Sequence, residues 1–309
     1  MLLNKAIPRL LLVLTLITVV VVFGESLGQK KIFSVENAVT LPPLPIRKET
    51  VVDPEVFARS ILVVDRASNV TLWEHNADLR VPPASTTKMM TALVAMEKFP
   101  LDQVITVSRS YKIGQSVGFK PGDKVSVEQL LFSLLVYSGN DAAEILAENY
   151  EGGRPAFIVA MNAKVDELGL KNTHFVNPTG LDEASHYSTA RDLAILADIA
   201  MKKIEFAKIV SSESTVIALE NNQEYVLKNV NQLLGKIPGV LGVKTGFTEG
   251  AGQSLVTLVS RNEHEVILSV LGSGDRFMET EKLIDWVYAS FTWLTLDRHN
   301  PGKSLGQKP

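Results

Sequence analysis

Apolar residues recur along the chain with one of two periods, and the changes of period divide it into segments. An uncharged run from Leu10 to Phe23 (LLLVLTLITVVVVF) follows Lys5 and Arg9. A basic start followed by such a run is the pattern of a secretory signal, and the run has no polar face that a core helix would turn to water. Counted from Ala6, it approaches the about 20 residues that span a bilayer. Residues 1–24 therefore read either as a cleaved signal peptide, with Val22-Phe23-Gly24 at the cleavage site, or as a retained membrane anchor. Residues 25–56 read as a linker, polar at first and then carrying Leu41-Pro42-Pro43-Leu44-Pro45, whose prolines favour extended backbone.

From Phe57 onward the pattern predicts a folded domain over 57–292. Ser60–Asp65 (SILVVD) and Val70–Glu74 (VTLWE) are short apolar runs joined by Ala67-Ser68-Asn69, the chemistry of a hairpin turn. After Pro82-Pro83-Ala84-Ser85 the period becomes helical from Thr86 to Lys98, with Met89, Met90, Leu93 and Met96 near one face. Val127–Glu148 is helical and interrupted by Ser138-Gly139-Asn140, and Ala156–Leu168 and Thr189–Lys202 continue in the same period. Beyond Ser212 the chain reads as strands over Ser214–Leu219, Glu224–Leu227, Gly239–Lys244, Gln253–Ser260 and Glu265–Leu271, closed by a helix over Glu279–Phe291. Strand, helices, strands and a last helix predict a mixed α/β fold. Its sheet is built from both ends of the chain, with a helical insertion between them. Residues 293–309 read as a polar tail.

Composition removes several functions. The 309 residues carry a formal net charge of −3, which offers no basic field for nucleic acid. There is no cysteine, so disulfides, thiolate metal sites and cysteine nucleophiles are excluded together. No H-E-x-x-H zinc motif occurs, and no G-x-S-x-G elbow surrounds Ser85. Of the five histidines, His174 and His186 lie nearest the motifs, in polar loop-like stretches that suit surface or structural roles. The adjacent acids Asp182 and Glu183 read as part of a solvated loop.

Three short motifs carry candidate chemistry. In Ser85-Thr86-Thr87-Lys88, a serine at the start of a helix has a lysine one turn along on the same face. The amine can take the hydroxyl proton only if burial or a nearby cation makes it neutral. The ordinary alternative is a helix-capping serine followed by a surface lysine. Ser138-Gly139-Asn140 breaks an apolar helix that resumes at Ala142; it is either a simple helix stop or a pair of polar groups lining a cleft. Lys244-Thr245-Gly246 ends a strand, offering a charge and a hydroxyl to a carboxylate beside a glycine that lets a ligand lie close; alone, it is as readily a strand end and turn.

In this order the three motifs resemble the signature set of penicillin-binding proteins and class A β-lactamases. From Phe57 to Phe291 the chain is similar to the D-alanyl-D-alanine carboxypeptidases of the low-molecular-mass penicillin-binding protein type, serine peptidase family S11. Pro83–Met89, Lys120-Pro121-Gly122-Asp123, Gly169–Phe175, Tyr187–Asp192 and Lys244–Thr248 carry the likeness. The resemblance implies a β-lactamase/transpeptidase-like fold, a mainly antiparallel sheet flanked by helices with a helical subdomain. It implies Ser85 as nucleophile, Lys88 as general base and Ser138 as proton relay. Asn140 would hold the substrate amide, Lys244, Thr245 and Gly246 would receive the terminal carboxylate with help from Arg276, and the backbone N–H groups of Ser85 and Phe247 would form the oxyanion hole. Several members carry His or Tyr where this chain has Phe247. The implied substrates are peptidoglycan stem peptides ending in D-Ala-D-Ala outside the bacterial membrane, with β-lactams as acylating inhibitors and no metal or organic cofactor.

Three rivals share the fold. A class A β-lactamase needs a glutamate with an asparagine four residues later to activate the deacylating water, and no E-x-x-x-N occurs between Ser138 and Lys244. A peptidoglycan endopeptidase needs the same machinery and stays open. A non-catalytic cell-wall binding protein would be expected to have lost a motif residue, and none is lost. Larger relatives add a C-terminal β-domain and a membrane-lying helix, whereas this chain ends 18 residues after Phe291; any attachment to a membrane is therefore expected through the N-terminal segment.

Overall fold

A computed structural model describes residues 42–295. The proposed signal or anchor and most of the tail lie outside the described residues. The hairpin β2 (Ser60–Asp65) and β3 (Thr71–His75) comes first, and β8 (Val240–Thr248), β9 (Gly252–Arg261) and β10 (His264–Ser273) come last. They form one antiparallel sheet in the order β3-β2-β10-β9-β8. Both ends of the chain thus build the sheet, as expected, with β2 docked centrally against β10 (Ile61 opposite Val270) and β8 left at an outer edge.

Both faces of the sheet are covered, which is why the strands read as nearly continuous apolar runs rather than alternating ones. Successive side chains point to opposite faces. Ile61, Val63, Val266 and Leu268 pack with Leu283, Ile284 and Val287 of the last helix, α7 (Arg276–Ser290). Leu62, Val64 and Ile267 join the larger core on the other face. That core holds α1 (Lys88–Lys98), α2 (Val127–Leu135), α3 (Asn140–Glu148), α4 (Gly153–Glu167) and α5 (Ala190–Met201). In α1 every residue from Lys88 to Ala95 is buried, so the helix is enclosed on all sides rather than amphipathic.

Several elements depart from the sequence reading. Leu44–Arg47, inside the stretch read as a linker, is strand β1 and pairs antiparallel with β11 (Phe291–Leu294). Pro45 is tolerated there because the ribbon has only two strands and the missing N–H can face outward. Folded structure therefore begins before Phe57 and extends to Leu294. The short strands β4 (Val104–Thr106) and β5 (Lys124–Ser126) and helix α6 (Ile204–Val210) were not expected; each is too brief to show a period. Helix α7 starts at Arg276, three residues earlier than expected, because the Asp275 carboxylate caps it by accepting from the N–H groups of Phe277 and Met278. The remaining pair, β6 (Ser214–Ala218) and β7 (Glu224–Lys228), falls on two expected strands and forms an antiparallel hairpin.

Candidate active site

Ser85 lies in a single 3-10 turn, Ala84–Thr87, that leads into α1. The turn is tight: Ala84 has a positive φ of 49°, and Thr86 Oγ1 donates to the Pro83 carbonyl at 2.6 Å. Two glycines let the chain crowd around it. A Cβ on Gly180 would sit 1.8 Å from the Ala84 carbonyl oxygen, and one on Gly246 of β8 would sit 3.1 Å from the Ser85 nitrogen. Ser85 caps nothing with its side chain; Thr87 occupies the position before α1 and makes no side-chain capping bond either. The hydroxyl of Ser85 instead accepts from Lys88 Nζ at 2.8 Å.

Lys88 is completely buried. Besides Ser85 Oγ it donates to Asn140 Oδ1 at 2.6 Å and to the Thr179 carbonyl at 2.7 Å. All three partners are neutral oxygens, so no opposite charge in direct contact holds the amine protonated. Burial pushes Lys88 down from 10.5 to about 7, against the upward pull of Asp141 and Glu144. An amine in this condition can accept a proton from a hydroxyl near neutrality.

The helix break places the second motif opposite. Helix α2 is capped at its start by a capping box between Ser126 and Gln129 and ends at Leu135. Ser138 then takes a left-handed backbone, φ 68°, which a non-glycine residue adopts only when its surroundings hold it there. Its hydroxyl accepts from Lys244 Nζ of β8 at 2.9 Å. Asn140 opens α3 with both ends of its amide engaged, Oδ1 on Lys88 and Nδ2 donating to the Ile113 carbonyl at 2.9 Å.

Lys244 is 1% exposed and also donates to the Thr245 carbonyl. Burial, then the charges of Lys88 and Arg276, hold its amine well below the ordinary lysine value. Arg276, the first residue of α7, donates from Nη1 to the Gly246 carbonyl at 3.2 Å, while its buried Nε has no partner among the described residues. Ser85, Ser138, Asn140, Thr245, Gly246 and Arg276 line a cavity of about 320 Å³, with Phe247 and Leu181 also in its wall. The lining contains no carboxylate. Arg276 in this carboxylate-free lining, with the Lys244 amine behind Ser138, makes the cavity suited to a ligand that brings negative charge.

The order of motifs, the lysine-activated serine and the cationic edge strand agree with what a family comparison returns. A model described as D-alanyl-D-alanine carboxypeptidase, peptidase S11, matches residues 47–275. The chain belongs to this family. It is 34% identical over 253 residues to a D-alanyl-D-alanine carboxypeptidase of Bacillus subtilis, covering 79% of this chain and 65% of the relative. It is 37% identical over 264 residues to a D-alanyl-D-alanine endopeptidase of Pseudomonas aeruginosa, covering 82% of this chain and 84% of that one. Among solved structures, the Streptomyces DD-transpeptidase superposes with a TM-score of 0.71 at 32% identity, over 77% of this chain and all of its own. The chain thus spans about two thirds of the length of the Bacillus carboxypeptidase it matches, so family membership covers this fold and leaves the whole relative's activity to be argued.

Several residues around the site have contacts that the sequence reading did not anticipate. Asn177 Oδ1 accepts from the N–H groups of Thr179 and Gly180, and this turn aims the Thr179 carbonyl at Lys88. The signal was present as Asn177-Pro178-Thr179-Gly180, a run of turn formers. His186 is buried and joins Thr87, not Ser85. Its Nδ1 accepts from the Val176 N–H at 3.0 Å, which leaves Nε2 to donate to Thr87 Oγ1 at 2.9 Å. Burial, helped by His174, lowers it to about 4, so it is a neutral structural imidazole at pH 7. Asp182 and Glu183 are more than a solvated loop. Asp182 accepts from Thr248 Oγ1 at 2.7 Å and from the Gly250 N–H, and Glu183 accepts from Asn177 Nδ2 at 2.9 Å. Together they tie the turn beside Ser85 to the β8–β9 hairpin.

Proposed function

We propose that this protein is a serine-type D-Ala-D-Ala carboxypeptidase that removes the terminal D-alanine from peptidoglycan stem peptides outside the bacterial membrane, where residues 1–24 would deliver it. The observation that carries the reading is the fully buried Lys88 amine, lowered to about 7 and 2.8 Å from the Ser85 hydroxyl. Ser85 Oγ attacks the carbonyl carbon between the two D-alanines while Lys88 takes its proton. The oxyanion forms near the N–H groups of Ser85 and Phe247, a placement supported by the close approach of Gly246 to the Ser85 nitrogen. Ser138, hydrogen-bonded to Lys244, passes a proton to the departing amine, the C–N bond breaks, and D-alanine leaves. Water then attacks the ester and returns the serine. The substrate carboxylate supplies the missing anion for Lys244, Thr245 and Arg276. Asn140 holds Lys88 through Oδ1, and its Nδ2, which gives one N–H to the Ile113 carbonyl, has a second N–H for the substrate amide.

The cavity lining lacks a carboxylate that could activate a deacylating water. A β-lactam is therefore an acylating inhibitor rather than a substrate in this reading. The Pseudomonas endopeptidase, matched over 84% of its own length, is the reason to keep DD-endopeptidase as the second reading. Intact mass after brief exposure to benzylpenicillin tests the proposal. One drug mass on the wild type and none on Ser85→Ala is expected. Rapid drug hydrolysis without an adduct would overturn it in favour of a β-lactamase, and neither outcome would leave a binding protein. Release of D-alanine from a pentapeptide, against cleavage of a cross-linked dimer, then separates the two peptidase readings.

A further inference from the structure

The segment between β4 and β5 carries Gly114 and Gln115 into the wall of the cavity, yet it contains no helix or strand of its own. Two adjacent residues of α3 hold much of it. Asn140 donates from Nδ2 to the Ile113 carbonyl at 2.9 Å and from its backbone to the Gln115 carbonyl at 2.7 Å. Asp141 accepts from three consecutive backbone N–H groups, those of Val117 at 3.1 Å, Gly118 at 2.8 Å and Phe119 at 3.4 Å. Asp141 is fully buried, and no lysine, arginine or histidine pairs with it among the described residues. Glu144, one turn along α3, is by contrast paired with Arg154 at 2.8 Å. A buried carboxylate without a cation persists only where hydrogen bonds replace its water, and successive backbone N–H groups form such an anion-holding concavity.

We propose that Asp141 is a positioning residue of the acyl-transfer site: its carboxylate organises Val117–Phe119 so that the 113–119 wall stands against Ser85 and Asn140, and its charge reaches Lys88 through the same helix turn. The proposal rests on the carboxypeptidase reading for its kinetic part only. The charged and titratable groups facing Lys88 are Asp141 and Glu144 on α3, Lys244 on β8, and His186 through Thr87. Of these, Asp141 alone also binds the wall.

Asp141→Asn keeps the shape, removes the charge, and sets an NH2 group against N–H donors. In the full chain, hydrogen exchange should show the Val117–Phe119 amides losing protection. Acylation by benzylpenicillin should slow about tenfold or more, as misplacement of a site wall does. The acid limb of its pH profile should move to lower pH, because losing a nearby anion favours neutral lysine. A residue acting on stability alone would slow acylation without moving that limb. Glu144→Gln should move the limb the same way while the three amides stay protected. If Asp141→Asn does not fold, Gly118→Ala replaces it. Gly118 has a φ of 99° with open space around its Cβ position, so alanine strains the wall without touching the core, and it should expose the same amides and slow acylation. Unchanged protection, or acylation within twofold of wild type with an unmoved limb, overturns the proposal. An inert wild type that still loses protection in the variant would refute the carboxypeptidase reading and leave the structural assignment standing.

Discussion

Replacing Lys88 by methionine keeps an unbranched side chain of similar length in the core of α1 and removes the amine. A free lysine holds its proton up to 10.5, whereas buried Lys88 gives it up at about 7. Between those values the unfolded chain binds a proton that the folded chain does not. Stability therefore rises with pH through this window and is lost as pH falls from 10.5 toward 7. At pH 7, with the folded amine about half protonated, the loss comes to about 4 kcal/mol, at about 1.4 kcal/mol per unit. Methionine escapes that penalty. In exchange it orphans Asn140 Oδ1 and the Thr179 carbonyl, each costing about 1–3 kcal/mol; Ser85 Oγ faces the cavity and finds water. Near the lower end of that cost, Lys88→Met should be more stable than wild type at pH 7 by about 1–2 kcal/mol, a rise of a few degrees in Tm. By pH 10 most of the lysine's penalty should be gone and the variant should be the less stable protein. Thermal unfolding from pH 6 to 10, followed by circular dichroism, measures both. The variant should form no penicillin adduct, and wild-type acylation should fall about tenfold per unit below pH 7. A stability difference that does not change with pH would mean that Lys88 titrates as an ordinary lysine, and the argument for it as a neutral base would collapse.

Other outcomes follow from the same geometry. Gly180→Ala drives a Cβ into the Ala84 carbonyl at a φ of 87°, so it should cost about 1–3 kcal/mol in urea unfolding and slow acylation by displacing Thr179 from Lys88. Arg276→Ala should raise KM for a D-Ala-D-Ala peptide about tenfold or more while barely moving Tm, because its one side-chain hydrogen bond among the described residues is long and a charged hydrogen bond to substrate is worth about 1.5–3 kcal/mol. Removing residues 1–47 deletes β1, leaving β11 and the Trp293 indole that donates to Asp65 at 2.7 Å without their partner strand; Tm should drop while penicillin acylation at pH 8 persists, and loss of acylation would show that the ribbon supports the site.

Much of the protein was determined by residues close in sequence. The hairpin Ser60–His75 and the helices from Lys88 to Met201 follow from apolar period and turn chemistry, and Ser85 with Lys88 meets by helical geometry alone, three positions apart. What makes that pair reactive is not local. The other oxygens on Lys88 come from Asn140 and Thr179, 52 and 91 residues away, and Lys244 reaches Ser138 across 106. Only the packed structure removes water from both amines, and the neutral oxygens and carboxylate-free cavity that result cannot be read from spacing. Asp141 belongs to none of the motifs read from the sequence, and its role exists only once the wall segment folds over it. The β1–β11 ribbon stayed hidden because strands of four residues carry too little period to read; their pairing is decided by the two ends of the fold arriving side by side.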